Sequence, residues 1–328
     1  MSLPKIKYCP GNLTPGFNTY SRACVLRLFN GKKVHHILPY HSPLSNIKTD
    51  ELFDANRKRI SISGVQEKFS VLLEKNKLRL ANEDENGTYI LKPIPAAGRQ
   101  KEQMPANEHL TMQIARQVYK IETAENALIF FKDGTPAYIT KRFDVNDDGS
   151  KRAQDDFASL AGRTPNTHGE HYKYMGNYLD VFKLMQNYLP VYKLEAPKLL
   201  KILVFNYLFS NGDAHLKNFS LTETPMGDYR LSPAYDLLNS RVHIKDKDFA
   251  LTDGLLHPNL TKGKISQQFA ILADKAGISK KILNDTMTLM KSKSEWVEKF
   301  VNSSFLDQKT KINYWKAYQG RLKQLVKV

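Results

Sequence analysis

Between Leu199 and Phe209 the chain is apolar nearly all round, broken only by Lys201 and Asn206. A run this short falls below the roughly 18 apolar residues of a membrane span, and a helix without a polar face must be buried on every side. The surrounding sequence therefore has to build a helical lobe around it. Immediately after comes Asn211-Gly212-Asp213-Ala214-His215-Leu216-Lys217-Asn218-Phe219-Ser220. Glycine is the usual residue for leaving a helix, so Asn211-Gly212 is expected to end the buried helix and deliver Asp213 to a loop. The segments Phe219-Ser220-Leu221 and Tyr229-Arg230-Leu231 flank a turn holding Pro225, Gly227 and Asp228. If they pair antiparallel, the returning strand brings Ser232-Pro233-Ala234-Tyr235-Asp236 beside Asn218 and Asp213.

Two carboxylates and one amide oxygen then converge at a strand end. Hard oxygen ligands of this kind suit Mg²⁺, which keeps several waters and takes further ligands from nucleotide phosphates. An Asp, an Asn five residues on and a second Asp downstream are what phosphoryl transfer on the protein-kinase plan requires. In that plan one Asp orients the attacking hydroxyl, the Asn binds metal, and the second Asp joins metal to phosphates. An Asx-rich turn with satisfied side chains is the plainer alternative.

Upstream, the pattern is strand-like. Phe69–Leu73 and Leu78–Leu80 suggest a hairpin, Thr88–Lys92 is a β-rich run closed by Pro93, and Asn126–Phe131 and Ala137–Lys141 flank a turn at Asp133-Gly134. Leu110, Ile114 and Val118 recur at spacing four and predict a helix over about 106–119. After Asp144 helical patterns dominate. The expected fold class is α/β, more narrowly α+β: a small mixed β lobe over 1–143 and a larger, mainly helical lobe over 144–328, in a bilobal protein-kinase-like arrangement. Lys92 follows an apolar strand, as a phosphate-pairing lysine does in that plan, and Glu108 opens the inserted helix as a partner for it. Arg59 to Lys68 is a polar loop entering a hairpin, able to cover phosphates through backbone N–H groups, although it has one Gly and no Walker pattern.

The formal charge is +16, and residues 261–328 hold fourteen Lys+Arg against five Asp+Glu, a net of +9. Lysines there alternate with apolar residues, as in Lys309 to Lys316, which reads as amphipathic helices with basic outer faces. Over half the excess thus lies outside the segments that carry chemistry. Cys9 and Cys24 are too few for a disulfide framework or a four-thiolate zinc site. With no apolar stretch of membrane-spanning length and no signal-peptide core, the expectation is a cytoplasmic protein with no membrane partner. His168 and His171 lack the i, i+4 helical spacing of zincins, His35-His36 have no partner at metal-ligand spacing, and no G-x-S-x-G supports a hydrolase elbow. Within the catalytic loop, His215 is expected to brace Asp213 rather than titrate.

Read in order, several segments resemble the HipA family of serine/threonine-kinase toxins from bacterial toxin–antitoxin modules. The matching pieces are Ser61 to Lys68, Tyr89 to Pro93, Asn107-Glu108, Arg142-Phe143-Asp144, Gln154 to Phe157, Asn211 to Ser220 and Leu231 to Asn239. The short chain and the Ser-x-Ser loop look most like the HipT branch of tripartite systems. There, a separate small protein resembles the N-terminal subdomain of longer HipA toxins.

The resemblance implies roles residue by residue. Asp213 is the catalytic base, Asn218 and Asp236 hold Mg²⁺, Lys92 with Glu108 contacts the phosphates of ATP, and Lys141 to Phe143 form the hinge at the adenine. Ser63, Gly64 and Val65 belong to the phosphate-covering loop, His215 lies at the nucleotide, and Ser61 and Ser63 are autophosphorylation sites. Substrates of HipA-like kinases are aminoacyl-tRNA synthetases, and HipT-like members are linked to tryptophanyl-tRNA synthetase. Implied partners are a HipB-like DNA-binding antitoxin and a small HipS-like antitoxin, with DNA reached only through the antitoxin complex. Two departures stand out: Lys141 replaces a residue that is often acidic in longer toxins, and Ser63 adds a second hydroxyl to the loop. A small-molecule phosphotransferase of the antibiotic type would share the Asp-x-x-x-x-Asn core without the Ser-x-Ser loop. A nucleic-acid binder using only the basic C-terminal helices would need no ATP.

Overall fold

The computed structural model describes residues 6–43, 67–82, 84–146, 148–244 and 248–326. The chain divides into two compact units. Unit one comprises Met1–Gln113, Ala124–Ser150 and Lys299–Lys311; unit two comprises Ile114–Thr123, Lys151–Glu298 and Ile312–Val328. The mixed α+β class expected from the sequence is the class found.

Unit one is organised by a five-stranded sheet. Its strands are β1 (Phe69–Glu74), β2 (Lys77–Leu80), β3 (Tyr89–Pro93), β4 (Asn126–Phe130) and β5 (Pro136–Lys141), in the order β2-β1-β3-β5-β4. Every neighbouring pair is antiparallel. The β1–β2 turn places Lys75 and Asn76 at φ 44° and 66°, so two non-glycine residues supply the left-handed pair that matches strand twist. At the β4–β5 turn Gly134 takes φ 83° and Asp133 Oδ1 accepts the Thr135 N–H at 2.9 Å. Helix α1 (Arg22–Phe29) starts at Ser21, whose hydroxyl accepts the Cys24 N–H, and stops at Asn30 in the left-handed region. Tyr20 and Tyr89 donate to the Leu128 and Leu28 carbonyls, tying α1 and its approach to the sheet. Phe29, Val71, Leu91, Ile129, Phe131 and Ile139 share one buried cluster. Helix α2 (Met104–Gln117) begins in this unit, where Gln113 Nε2 donates to Asn126 Oδ1 at 2.9 Å.

Unit two is mainly helical. Its small sheet orders β6 (Gln154–Asp156), β7 (Ser220–Glu223) and β8 (Tyr229–Leu231) as neighbours, all antiparallel. The short helices α3 (Phe157–Leu160) and α4 (Pro165–His168) precede α5 (Tyr178–Tyr188) and α6 (Tyr192–Leu208). Then follow α7 (Ile265–Lys275), α8 (Lys280–Lys291), α9 (Ser294–Ser303) and α10 (Gln308–Val326), the end of α9 and the first turn of α10 counting with unit one. Leu199 to Phe209 is buried except for half-buried Lys201, as an apolar run of that length demands. The helix carrying it starts earlier than the run, at Tyr192, and accommodates Pro197 in its second turn.

The helix exit differs from expectation. Ser210, not Gly212, takes the left-handed conformation, at φ 53°. Its carbonyl accepts from the Ser240 N–H at 3.0 Å and the Ser240 hydroxyl at 2.7 Å, and Ser240 Oγ also accepts the Gly212 N–H. A tertiary contact offsets the strain that a glycine would have avoided. Along α10, Tyr314, Tyr318, Arg321 and Leu325 are buried, while Lys309, Lys316 and Lys323 are exposed. Among the described residues no helix is long and apolar enough to cross a membrane.

Candidate active site

In unit one, β3 carries Lys92 directly across from Tyr138 of β5. Lys92 Nζ donates to Glu108 Oε1 at 2.7 Å and lies 5.3 Å from the centre of the Tyr138 ring. Both charged side chains are only 3% exposed. Removing an ammonium and a carboxylate from water costs several kcal/mol per ion, which close pairing only partly recovers. The pairing holds the Lys92 ammonium in one place. Lys141, at the end of β5, donates Nζ to Asn30 Oδ1 at 2.8 Å. Its backbone N–H donates to the Glu125 carbonyl. The Arg142 guanidinium grips the Asp144 carboxylate on both sides of half-buried Phe143. Ser61, Ser63, Gly64 and Val65 lie outside the described residues.

In unit two, the loop after α6 is closed by its own side chains. Asn218 Nδ2 donates to the Asp213 carbonyl at 2.8 Å, and the His215 N–H donates to the same oxygen at 2.7 Å. Because the Asn218 amide nitrogen is committed, its Oδ1 is the end left to face a cation. Strands β7 and β8 pair with Leu221 opposite Leu231, so the return strand leads to Asp236 as the antiparallel reading requires. Asp236 sits at φ 55°, a strained setting for a non-glycine residue, and Asn211 Nδ2 reaches its carbonyl at 3.5 Å. Both carboxylates act on one ring. Burial pushes the His215 imidazole down to about 4, while Asp213 and Asp236 each pull it upward. His215 is therefore neutral near pH 7 and lies within electrostatic reach of both acids.

The Asn218 amide and the Asp236 carboxylate would offer two oxygen ligands. That is too few for a cage but suited to Mg²⁺, which keeps waters and shares substrate phosphates. Among the described residues no cluster of three or more His, Cys, Asp or Glu is arranged to hold a metal. His168 is exposed, its Nδ1 2.8 Å from Thr167 Oγ1. Cys9 and Cys24 are buried free thiols.

His215 bonds the Asp213 carbonyl through its backbone, but the hydrogen bond to the Asp213 carboxylate comes from another residue. Tyr174 donates its hydroxyl to Asp213 Oδ1 at 2.8 Å and sets its ring edge-on to His215, 5.1 Å between centroids. Sequence reasoning missed Tyr174, and nothing in its neighbourhood could have flagged it. It lies 39 residues before Asp213 in a Gly-Glu-His-Tyr-Lys-Tyr stretch that ends in a single 3-10 turn, Tyr172–Tyr174. A second unforeseen contact ties Lys217 Nζ to Asp156 Oδ2 at 3.1 Å, joining the loop to the end of β6.

Residues 60–297 match the family model described as the HipA-like C-terminal domain. A protein of Sinorhizobium fredii named "Putative kinase Y4dM" is 31% identical over 250 residues, 70% of this chain and 57% of the relative. A kinase-named protein of Haemophilus influenzae, carrying the same qualifier, is 24% identical over 55% of this chain and 52% of its own length. The chain thus spans little more than half the length of these curated relatives. Among solved structures, HipA of Shewanella oneidensis, determined with HipB and operator DNA, superposes with a TM-score of 0.65 at 20% identity. That match covers 87% of this chain and 73% of the other. The Helicobacter pylori proinflammatory kinase CtkA gives 0.52 at 14% identity, over 77% of this chain and 92% of that one. At such identities the two structures speak for a kinase-like fold alone. The family match extends across both the Lys92–Glu108 pair and the Asp213–Asp236 region, and this chain belongs to the HipA-like C-terminal domain family.

Proposed function

We propose that this chain is an ATP-dependent serine/threonine-protein kinase, the toxin of a type II toxin–antitoxin module, of the short HipT kind. The observation that carries the reading is the closed Asp213–Asn218 loop, in which Asn218 Nδ2 is bonded to the Asp213 carbonyl and Asp213 Oδ1 accepts from Tyr174; in this reading the Asn218 amide oxygen and Asp236 take the metal and the other Asp213 oxygen takes the substrate. The family membership and the kinase-named relatives support it.

In this reading residues 1–143 hold the nucleotide and 144–328 carry the catalytic loop. Lys92, oriented by Glu108, contacts the ATP phosphates. Lys141 to Phe143 meet the adenine through their backbone, and Ser63-Gly64-Val65 cover the phosphates. His215, neutral at working pH, lends a ring to the nucleotide side without adding charge. Asn218 and Asp236 hold Mg²⁺, which supplies charge neutralisation on the phosphates when bound. Asp213 accepts a hydrogen bond from the attacking serine hydroxyl and takes its proton as the oxygen joins phosphorus. The protein substrate is an aminoacyl-tRNA synthetase, tryptophanyl-tRNA synthetase first among them, whose phosphorylation halts translation. A HipB-like antitoxin is the partner suggested by the Shewanella oneidensis complex, and a small HipS-like protein is the second. The setting is the cytoplasm.

Ser61 and Ser63 are the autophosphorylation sites. Each phosphoserine adds roughly −1.5 to −2 charge beside the place of the ATP phosphates, and repulsion weakens nucleotide binding. Doubly phosphorylated protein is expected to bind ATP more weakly than Ser61→Ala/Ser63→Ala protein in a calorimetric titration. Equal affinities would remove the regulatory role of the loop. Finding no phosphoserine at either position, together with phosphate transfer to a small molecule, would favour the antibiotic-type phosphotransferase.

A further inference from the structure

Tyr174 stands apart from the residues that the kinase plan calls for, yet it is the residue bonded to the Asp213 carboxylate. Its hydroxyl donates to Asp213 Oδ1 at 2.8 Å, and no described residue donates to Asp213 Oδ2. An oxygen that already accepts a hydrogen bond is the poorer proton acceptor, so the phenol directs basicity to Oδ2. The ring is fixed as well, standing edge-on to His215 with Lys173 Nζ 5.1 Å from its centre.

The backbone around Tyr174 is laced to a second segment. The Tyr174 carbonyl accepts from the Thr252 N–H at 2.8 Å, and the Gly176 carbonyl accepts from Asp253 at 3.0 Å. Gly176 N–H donates to Thr252 Oγ1, while Tyr178 and Leu179 donate to the Gly254 and Leu255 carbonyls. Arg163 Nη1 caps the turn by donating to the Met175 carbonyl at 2.6 Å. Such a ladder costs ordering entropy that an ordinary surface turn does not require, and its product is a phenol held at one fixed place.

We infer that Tyr174 is a positioning residue that orients the Asp213 carboxylate for phosphoryl transfer, a role that stands only if the phosphotransfer reading does. During transfer the substrate hydroxyl oxygen bonds the γ-phosphorus, and the bond from that phosphorus to the bridging oxygen breaks. The electron pair leaves with ADP, and the hydroxyl proton passes to Asp213 Oδ2. Tyr174 keeps its own proton throughout and holds Oδ1 still.

The test is Tyr174→Phe in the full chain, which deletes the hydroxyl and keeps the ring against His215. The expected result is a fall in kcat of about tenfold, or 1.4 kcal/mol on the barrier, with KM for ATP and the thermal midpoint little changed. Replacing Tyr174 by 3-fluorotyrosine, which restores a hydroxyl donor, should return kcat to near the parent value. A Tyr174→Phe enzyme with parental kcat overturns the role, and so does a variant that loses ATP affinity and kcat in parallel. A parent protein that transfers no phosphate at all overturns the phosphotransfer reading itself and carries this role down with it. The two failures are therefore distinguishable.

Discussion

Glu108→Gln is the perturbation whose size the structure fixes best. Lys92 and Glu108 are each 3% exposed and bonded at 2.7 Å, so the substitution removes the Glu108 charge from an ammonium in low dielectric. Removing one partner of a buried pair costs roughly 3–5 kcal/mol. The Tyr138 face beneath Nζ survives and should hold the loss near the lower end, about 3 kcal/mol. Replacing both residues, as Lys92→Met/Glu108→Gln, exchanges the pair for groups of similar volume and should recover most of that loss. Native-state hydrogen exchange of the Tyr89–Pro93 and Pro136–Lys141 strands reads the effect where it arises. At 1.4 kcal/mol per decade, 3 kcal/mol is about a hundredfold loss of protection in Glu108→Gln. The double variant should regain protection but not ATP affinity, separating the stability of the pair from its use. Protection in Glu108→Gln within threefold of the parent, with no coupling in the double variant, would refute the buried-charge reasoning.

Two further outcomes follow from buried cations and rings. Burial pushes His109, 1% exposed, down to about 4, whereas an unfolded histidine titrates near 6.5. Between those values the unfolded chain binds more protons, so the stability is present above about pH 6.5 and is lost as pH falls toward 4. His109→Gln should flatten that decline by up to about 1.4 kcal/mol per pH unit in urea melts at pH 5 and 6, and an unchanged slope would count against it. His36 and His215, displaced in the same direction by burial, keep part of the decline in place. Arg321, 1% exposed, lies over Tyr207 at 4.6 Å, bonds Asp248 at 2.6 Å and donates Nε to Ser210 Oγ at the helix exit. Arg321→Lys loses the planar fork and should cost about 2 kcal/mol in thermal or urea unfolding. A parental midpoint would show that the fork contributes nothing.

Much of the fold was legible because its signals are local. The strands of unit one alternate or run apolar between clear turns, and the run from Leu199 to Phe209 admits no partly exposed helix. Part of the candidate site was legible too: spacing placed Asn218 against the Asp213 carbonyl, and the antiparallel β7–β8 return leads to Asp236, which with Asp213 acts on His215. What escaped the sequence depends on distant contacts. Ser210 rather than Gly212 bends the chain because Ser240 supplies two hydrogen bonds to its carbonyl, and no local preference encodes that. Tyr174 meets Asp213 from the end of a single 3-10 turn that residues 252–255 hold in place, a relation between segments that carry no periodicity. The Arg321 side chain shows the same limit: a basic residue on an amphipathic helix reads as solvated, yet its ring stacking and ion pair place it inside.

The central claim is that Asp213 is the base of an ATP-dependent phosphotransferase. Its most direct measurement is incorporation of γ-labelled phosphate from Mg·ATP, comparing the parent with Asp213→Gln at matched secondary structure and thermal midpoint. The parent should label itself on serine, and the variant, equally folded, should take up no label. Retained labelling in Asp213→Gln, or a parent that takes up none with Mg²⁺ present, would contradict the account.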